Sequence, residues 1–161
     1  IGKLLKNIDT KYGKNIITFH LSANNSLPLR PLAEVASGGE MTRVMLALKA
    51  LTSRQKHLPT IVFDEIDTGV SGKVASSMAQ IMSEMCKEAE QQVIAITHLP
   101  QIAAKADVHY HVYKEAVDGR TLTRIRQLDF EQRIAELAHM LSGSKVTEAA
   151  TENARQLLQD K

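Results

Sequence analysis

Apolar and polar positions change their period several times along this chain, and each change marks an expected element. Over residues 16–21 the period is two: Ile17, Phe19 and Leu21 share one face and Thr18 and His20 the other, as in a half-buried strand. Asn24-Asn25-Ser26 supplies turn chemistry, and Pro28 and Pro31 keep the next segment extended. A helical period then takes over. Ser37-x-x-Glu40 forms a capping box ahead of a stripe made by Met41, Val44, Met45, Leu48 and Leu51. Pro59 ends the connection. Thr60-Ile61-Val62-Phe63 is a continuous apolar run of the kind buried on both faces of a parallel sheet. A helix over residues 72–86 follows, with Val74, Met78, Ile81, Met82 and Met85 inward, then a strand at 93–96 and a short helix at 100–105.

This β-α-β alternation predicts an α/β fold, a mostly parallel sheet flanked by helices with right-handed crossovers. The pattern then becomes that of a terminal β-hairpin, 108–113 and 121–128, joined through Asp118-Gly119. Two helices close the chain, one over 131–141 and one beginning after Ser144 and running through Ala150, Ala154 and Leu157.

With 161 residues and 43% hydrophobic content, the chain has the size of one domain with one core, and the scarcity of aromatics makes that core aliphatic and methionine-rich. A net charge of +2 from 20 basic and 18 acidic residues is no nucleic-acid footprint. Lys3, Lys6, Lys11 and Lys14 form a mildly basic N-terminal stretch that reads as a solvated face. The single cysteine, Cys86, excludes an internal disulfide, fits a reducing compartment and sits in an apolar helical pattern. No apolar run approaches the roughly 20 residues of a membrane helix, and no signal peptide opens the chain. A cytoplasmic protein without a membrane partner is the expectation, and the opening IGKLLKNIDTKYG reads as the start of a fragment.

Four stretches bear on chemistry. Phe63 to Ser77, FDEIDTGVSGKVASS, contains Gly72-Lys73, but a phosphate loop would need glycine at Asp67 and a hydroxyl at Val74. Gly72-Lys73 therefore reads as the start of a helix. Ser37-Gly38-Gly39-Glu40 is a helix cap with two glycines in the first turn, each costing about 1 kcal/mol relative to alanine. Glycine there makes sense where an anion must approach a helix N-terminus closely. Asp64-Glu65 directly follows an apolar strand, at the sheet end where α/β proteins bind ligands. Adjacent residues on an extended chain point to opposite sides, so one carboxylate can serve a magnesium ion while the other faces an attacking water. An acidic turn is the plain alternative. Thr97-His98 follows the strand at 93–96, where His98 can reach a γ-phosphate if the two strands are neighbours. His109 and His111 share a face of a strand without further metal ligands in spacing, and are expected to be strand surface.

Together these residues resemble the C-terminal lobe of an ABC-type ATPase head of SMC-like proteins, a P-loop NTPase fold. SGGE at 37–40 resembles the signature motif, TIVFDE at 60–65 the Walker B strand, DTGVSG at 67–72 the D-loop, and Thr97-His98-Leu99 the switch histidine. At finer grain, PLAEVASGGEMTRVMLALK, IVFDEIDTGVSG, ITHLPQIAAKAD and RIAELAHMLSG resemble the RecN family of bacterial DNA repair ATPases. The resemblance implies Asp64 as the magnesium residue, Glu65 as the residue polarising water and His98 as the γ-phosphate sensor. Ser37, Gly38, Gly39 and Glu40 would bind ATP held by a partner head, and Asp67 would link the two sites across a homodimer. Residues 1–15 would be the exit from a coiled coil and 16–161 the lobe itself. The Walker A loop would lie on an N-terminal lobe, with ATP and Mg2+ as cofactors and DNA as the target of recombinational double-strand-break repair in the bacterial nucleoid. A different SMC-like or RecF-like head, and a non-catalytic scaffold derived from such a lobe, stay open beside it.

Overall fold

The computed structural model describes the chain apart from residues 1, 12, 23–27, 36–37, 65, 68, 71, 90, 144 and 161. Strands β1 (Gly2–Thr10) and β2 (Gly13–Leu21) form an antiparallel hairpin, and β3 (Arg30–Pro31) pairs with the end of β2. This corrects the expected division of the chain. The stretch assigned to a coiled-coil exit is sheet, paired from Gly2↔His20 to Thr10↔Gly13, and the boundary at 15/16 falls inside β2. A single turn of helix, α1 (Leu32–Val35), follows where continued extension was expected; the turn at Asn24-Asn25-Ser26 lies outside the described residues.

The central layer is built from α2 (Gly38–Lys56), β4 (Thr60–Asp64), α3 (Gly72–Ala89) and β5 (Gln92–Ile96). Strands β4 and β5 are parallel and in register from Thr60↔Gln92 to Asp64↔Ile96. Between them α3 buries Met78, Met82 and Met85 of its predicted inward face, together with Ala75 and Ala79, against Phe63 and Leu46, while Val74 and Ile81 of that face are partly buried against the same core. At the opposite end of the strands, Ser53 Oγ donates to Gln91 Oε1 (3.1 Å) and Gln91 Nε2 donates to the Leu58 carbonyl. These bonds satisfy the buried polar groups where α2 turns into β4.

Two expectations about burial are corrected. The TIVF strand is covered on one face only: Phe63 is buried, whereas Val62 and Ile94 are exposed and Ile96 is 53% exposed. On α2 the buried line runs through Leu46, Ala50 and Ser53, while Met45, Leu48 and Leu51 face outward, Leu51 at 61%. Both stripes are as apolar as predicted. What differs is that α3 covers only one flank, so the larger apolar residues stand without a partner among the described residues.

Helix α4 (Pro100–Lys105) joins two cores, with Ile102 in the first and Ala103 and Ala104 in the second. Then come β6 (Tyr110–Val117) and β7 (Arg120–Gln127), an antiparallel hairpin turning at Asp118 and Gly119, both with positive φ (49° and 74°). That is the turn for which Asp-Gly is favoured. The last two helices, α5 (Phe130–Ser142) and α6 (Glu148–Gln159), pack Ile134, Leu137 and Ala138 against Ala150, Ala154 and Leu158. Asp129 caps α5 through a full capping box with Gln132, and Thr147 caps α6.

Arg133 of α5 is buried and directs its guanidinium at the C-terminus of α4, donating to the carbonyls of Ala106 (2.7 Å) and Ala104 (3.2 Å). Helix ends leave such carbonyls without partners, and a cation there also suits the helix dipole. Burial pulls the guanidinium down from its usual range, with Asp107 opposing. Beside it, burial holds the half-buried His109 below the usual histidine range; Arg133 and His111 add to this and Glu136 opposes it.

Arg133→Ala should destabilise the protein by about 2–4 kcal/mol in urea denaturation, because it orphans buried carbonyls. Arg133→Lys should recover only part, lacking the planar fork. The lowered His109 pKa gives a sign for pH: the unfolded chain takes up a proton near its ordinary value of about 6.5 and the native state resists it. This contribution to stability is whole above that pH and falls as pH drops below it. The urea midpoint should decline from about pH 7 to about pH 5, and His109→Gln should flatten the decline.

Candidate functional site

The C-terminal ends of β4 and β5 are level, Asp64 opposite Ile96, so the segments leaving them share one edge of the sheet. Asp64 stands exposed at that edge, beside a cavity of about 300 Å3 between α2 and the strand end, lined by Met41, Met45, Lys49, Phe63 and Ile66 among others. The neighbouring Glu65 and the signature Ser37 lie outside the described residues.

Past the strand ends, the centre of the arrangement is Asp67. Its side chain is 1% exposed. Oδ2 accepts the Thr97 hydroxyl and the His98 backbone N–H (3.0 Å), and the Thr97 oxygen in turn accepts the Leu99 N–H (3.0 Å). Oδ1 lies 3.3 Å from His98 Nδ1, close enough for ion pairing but not aligned as a hydrogen bond, and is a buried acceptor without an aligned donor. The imidazole of His98 is 70% exposed. Asp67 also accepts the Val70 N–H at its own carbonyl (3.1 Å), closing the turn that leads toward α3. The carboxylate is thus engaged by its own chain, through the Thr97 hydroxyl and the His98 N–H.

The two glycines at the start of α2 separate. A Cβ on Gly39 would stand 3.0 Å from the Gly69 carbonyl oxygen, so Gly39 is required by the loop packed on it. A Cβ on Gly38 would meet nothing within 4 Å. Among the described residues nothing explains Gly38, and its open position at the N-terminus of a 19-residue helix suits an anionic ligand. Glu40, in the same first turn, is half-buried. Gly69 itself has φ +71°, a conformation open to glycine. Gly72 begins α3, as expected of a helix start.

The structure therefore brings Gly38, Gly39, Asp67 and His98 into one linked group: α2 touches Gly69, and Asp67 two residues earlier holds the turn after β5. Asp64 lies at the same sheet edge. Thr97 and Gly69 had gone unmarked as separate contributors. A hydroxyl directly before a strand-end histidine was the available signal for Thr97. Among the described residues, no group of three or more His, Cys, Asp or Glu side chains is placed to hold a metal ion. His111 instead pairs with Glu136 (Nδ1 to Oε2, 3.7 Å).

No protein-family model matches the chain. Proteins named DNA repair protein RecN do. That of Bacillus subtilis is 44% identical over 149 residues, covering 92% of this chain and 26% of the relative. Those of Vibrio cholerae and Deinococcus radiodurans are 41% and 44% identical, each over 91% of this chain and about a quarter of their own length. The chain spans about a quarter of these relatives and matches their C-terminal part. Among solved structures, the Smc head domain of Pyrococcus yayanosii with its coiled coil and joint superposes with a TM-score of 0.64 at 24% identity, covering 81% of this chain and 23% of that one. A chain from work on ATP-driven dimerization and DNA-stimulated activation of SMC ATPases gives 0.63 at 22% identity, covering 89% and 84%. The fold is that of SMC ATPase heads.

Gly39→Ala should destabilise the protein by about 1–3 kcal/mol through overpacking against a backbone oxygen. Gly38→Ala should stay within about 0.5 kcal/mol of the parent in the same urea titration.

Proposed function

We propose that this chain, which matches the C-terminal part of RecN proteins over nine-tenths of its length, supplies the signature half of a composite ATPase site in a DNA repair protein. The observation that carries the reading is the linkage of three segments at one edge: the α2 N-terminus, the turn after β4 and the turn after β5. An SMC-like head needs a contact for its own nucleotide and another for the nucleotide of a second head, and the linked edge offers a candidate for each. The residues present fit a nucleotide, since Gly38 leaves its helix end open and Asp64 is exposed where a hydrated Mg2+ would need a carboxylate.

ATP with Mg2+ would supply the phosphoanhydride bond and the charge neutralisation its cleavage needs. Within this chain, Asp64 would hold a metal-bound water, Glu65 would take a proton from the attacking water, and His98 would face the terminal phosphate. Ser37, Gly38, Gly39 and Glu40 present the helix end to ATP carried by the second head of a homodimer. The phosphate-gripping loop belongs to an N-terminal lobe. The exposed faces carrying Val62, Ile94 and Ile96 and Met45, Leu48 and Leu51 are where that lobe packs, since an apolar parallel sheet needs cover on both sides. Head engagement then couples ATP turnover to holding DNA at double-strand breaks, in the bacterial cytoplasm at the nucleoid.

This chain alone should hydrolyse no ATP above background in a phosphate-release assay, whereas the full-length protein should. In the full-length protein, Glu65→Gln should lower turnover by about 10²-fold or more and make ATP-dependent dimers accumulate in size-exclusion chromatography. Unchanged hydrolysis by that variant would favour a scaffold role for the lobe.

A further inference from the structure

We infer that Asp67 is a positioning residue for His98, acting within its own chain through Thr97. The inference rests on the ATPase reading above for its effect on turnover, and on geometry alone for the tie itself. A carboxylate 1% exposed must be held by donors. Two of the donors found, the Thr97 hydroxyl and the His98 N–H, both come from the turn that carries His98. Thr97 extends the tie to the Leu99 N–H, so three successive residues after β5 are fixed to one carboxylate from the turn after β4.

The free oxygen adds a chemical consequence. Oδ1 is buried and without an aligned donor, and lies 3.3 Å from His98 Nδ1. A small ring rotation lets Nδ1–H donate to it. A carboxylate can only accept here, so this pairing draws on Nδ1–H and orients the ring with Nε2 away from Asp67. The exposed imidazole therefore owes its direction to a residue with no solvent contact. The same turn packs its Gly69 carbonyl against Gly39, so it lies between the α2 N-terminus and the residue that holds His98.

Two measurements on the full-length protein test this. Hydrogen exchange read by mass spectrometry reports the tie without any reference to activity. Peptides covering the turn after β5 should exchange at least about tenfold faster in Asp67→Ala and Thr97→Val than in the parent, and at the parent rate in Thr97→Ser. Unchanged exchange in both Asp67→Ala and Thr97→Val overturns the inference. A double-mutant cycle then reads the effect on turnover. Asp67→Asn keeps one acceptor oxygen but faces Nδ1 with an amide, and should lower kcat by about tenfold to a hundredfold with KM for ATP little changed. In a His98→Ala background the same substitution should change kcat less than about twofold. Equal losses in both backgrounds overturn the positioning role. Full activity of His98→Ala alone would instead sink the ATPase reading of His98, with hydrogen exchange still deciding the tie.

Discussion

A carboxylate that has lost its water must find donors, and in this molecule that requirement organises the functional edge. Asp67 sits between the end of one parallel strand and the turn after its neighbour, and its oxygens face backbone and side-chain donors from that turn. Stripping such a group of partners would cost several kcal/mol, so Asp67 and the turn after β5 hold each other in place. Parallel pairing from Thr60 to Asp64 makes this feasible by bringing the two turns level. Gly39 extends the same constraint to α2, because the loop carrying Gly69 leaves no room for a methyl group.

The rest of the lobe is anchored to that edge through a short helix. Pro100 starts α4 immediately after the turn that Asp67 holds, and α4 then divides its residues between two cores. Its C-terminus is closed by Arg133, which reaches across from α5. A six-residue helix has little stability of its own. It persists because one end is fastened by the Asp67 turn and the other by a guanidinium, and Lys105 adds a bond to the Asp160 carbonyl at the end of α6. Functional edge and terminal helices are thus mechanically continuous, although their cores are distinct.

Much of this was legible in the residue pattern. Strands β4 and β5, the inward face of α3, the Asp118-Gly119 hairpin and the closing helices all rest on local periodicity or turn chemistry, and tertiary context agreed with them. The motif order also pointed to the sheet edge where Asp64, Asp67 and His98 stand. The failures have a common cause: burial depends on neighbours, and periodicity does not name them. The stripe of Met45, Leu48 and Leu51 is apolar, yet α3 lies on the other flank. The Ile61-Val62-Phe63 run of β4 is apolar, yet only the Phe63 side is covered. The pairing of Gly2–Thr10 with Gly13–Leu21 was hidden because its lysines and asparagines blur any alternation. The direction of Asp67 could not be read at all, since an acidic residue in a loop carries no mark of whether it turns inward or out.

The central claim is that Asp67 serves its own chain while the open glycine at the head of α2 faces outward. A nucleotide-bound structure of the full-length protein with two heads engaged tests it most directly. The account predicts Asp67 within hydrogen-bonding distance of Thr97 Oγ1 and the His98 amide of the same chain, with phosphate oxygens nearest Gly38. An Asp67 carboxylate turned out toward the opposing head, with Thr97 released, would contradict it.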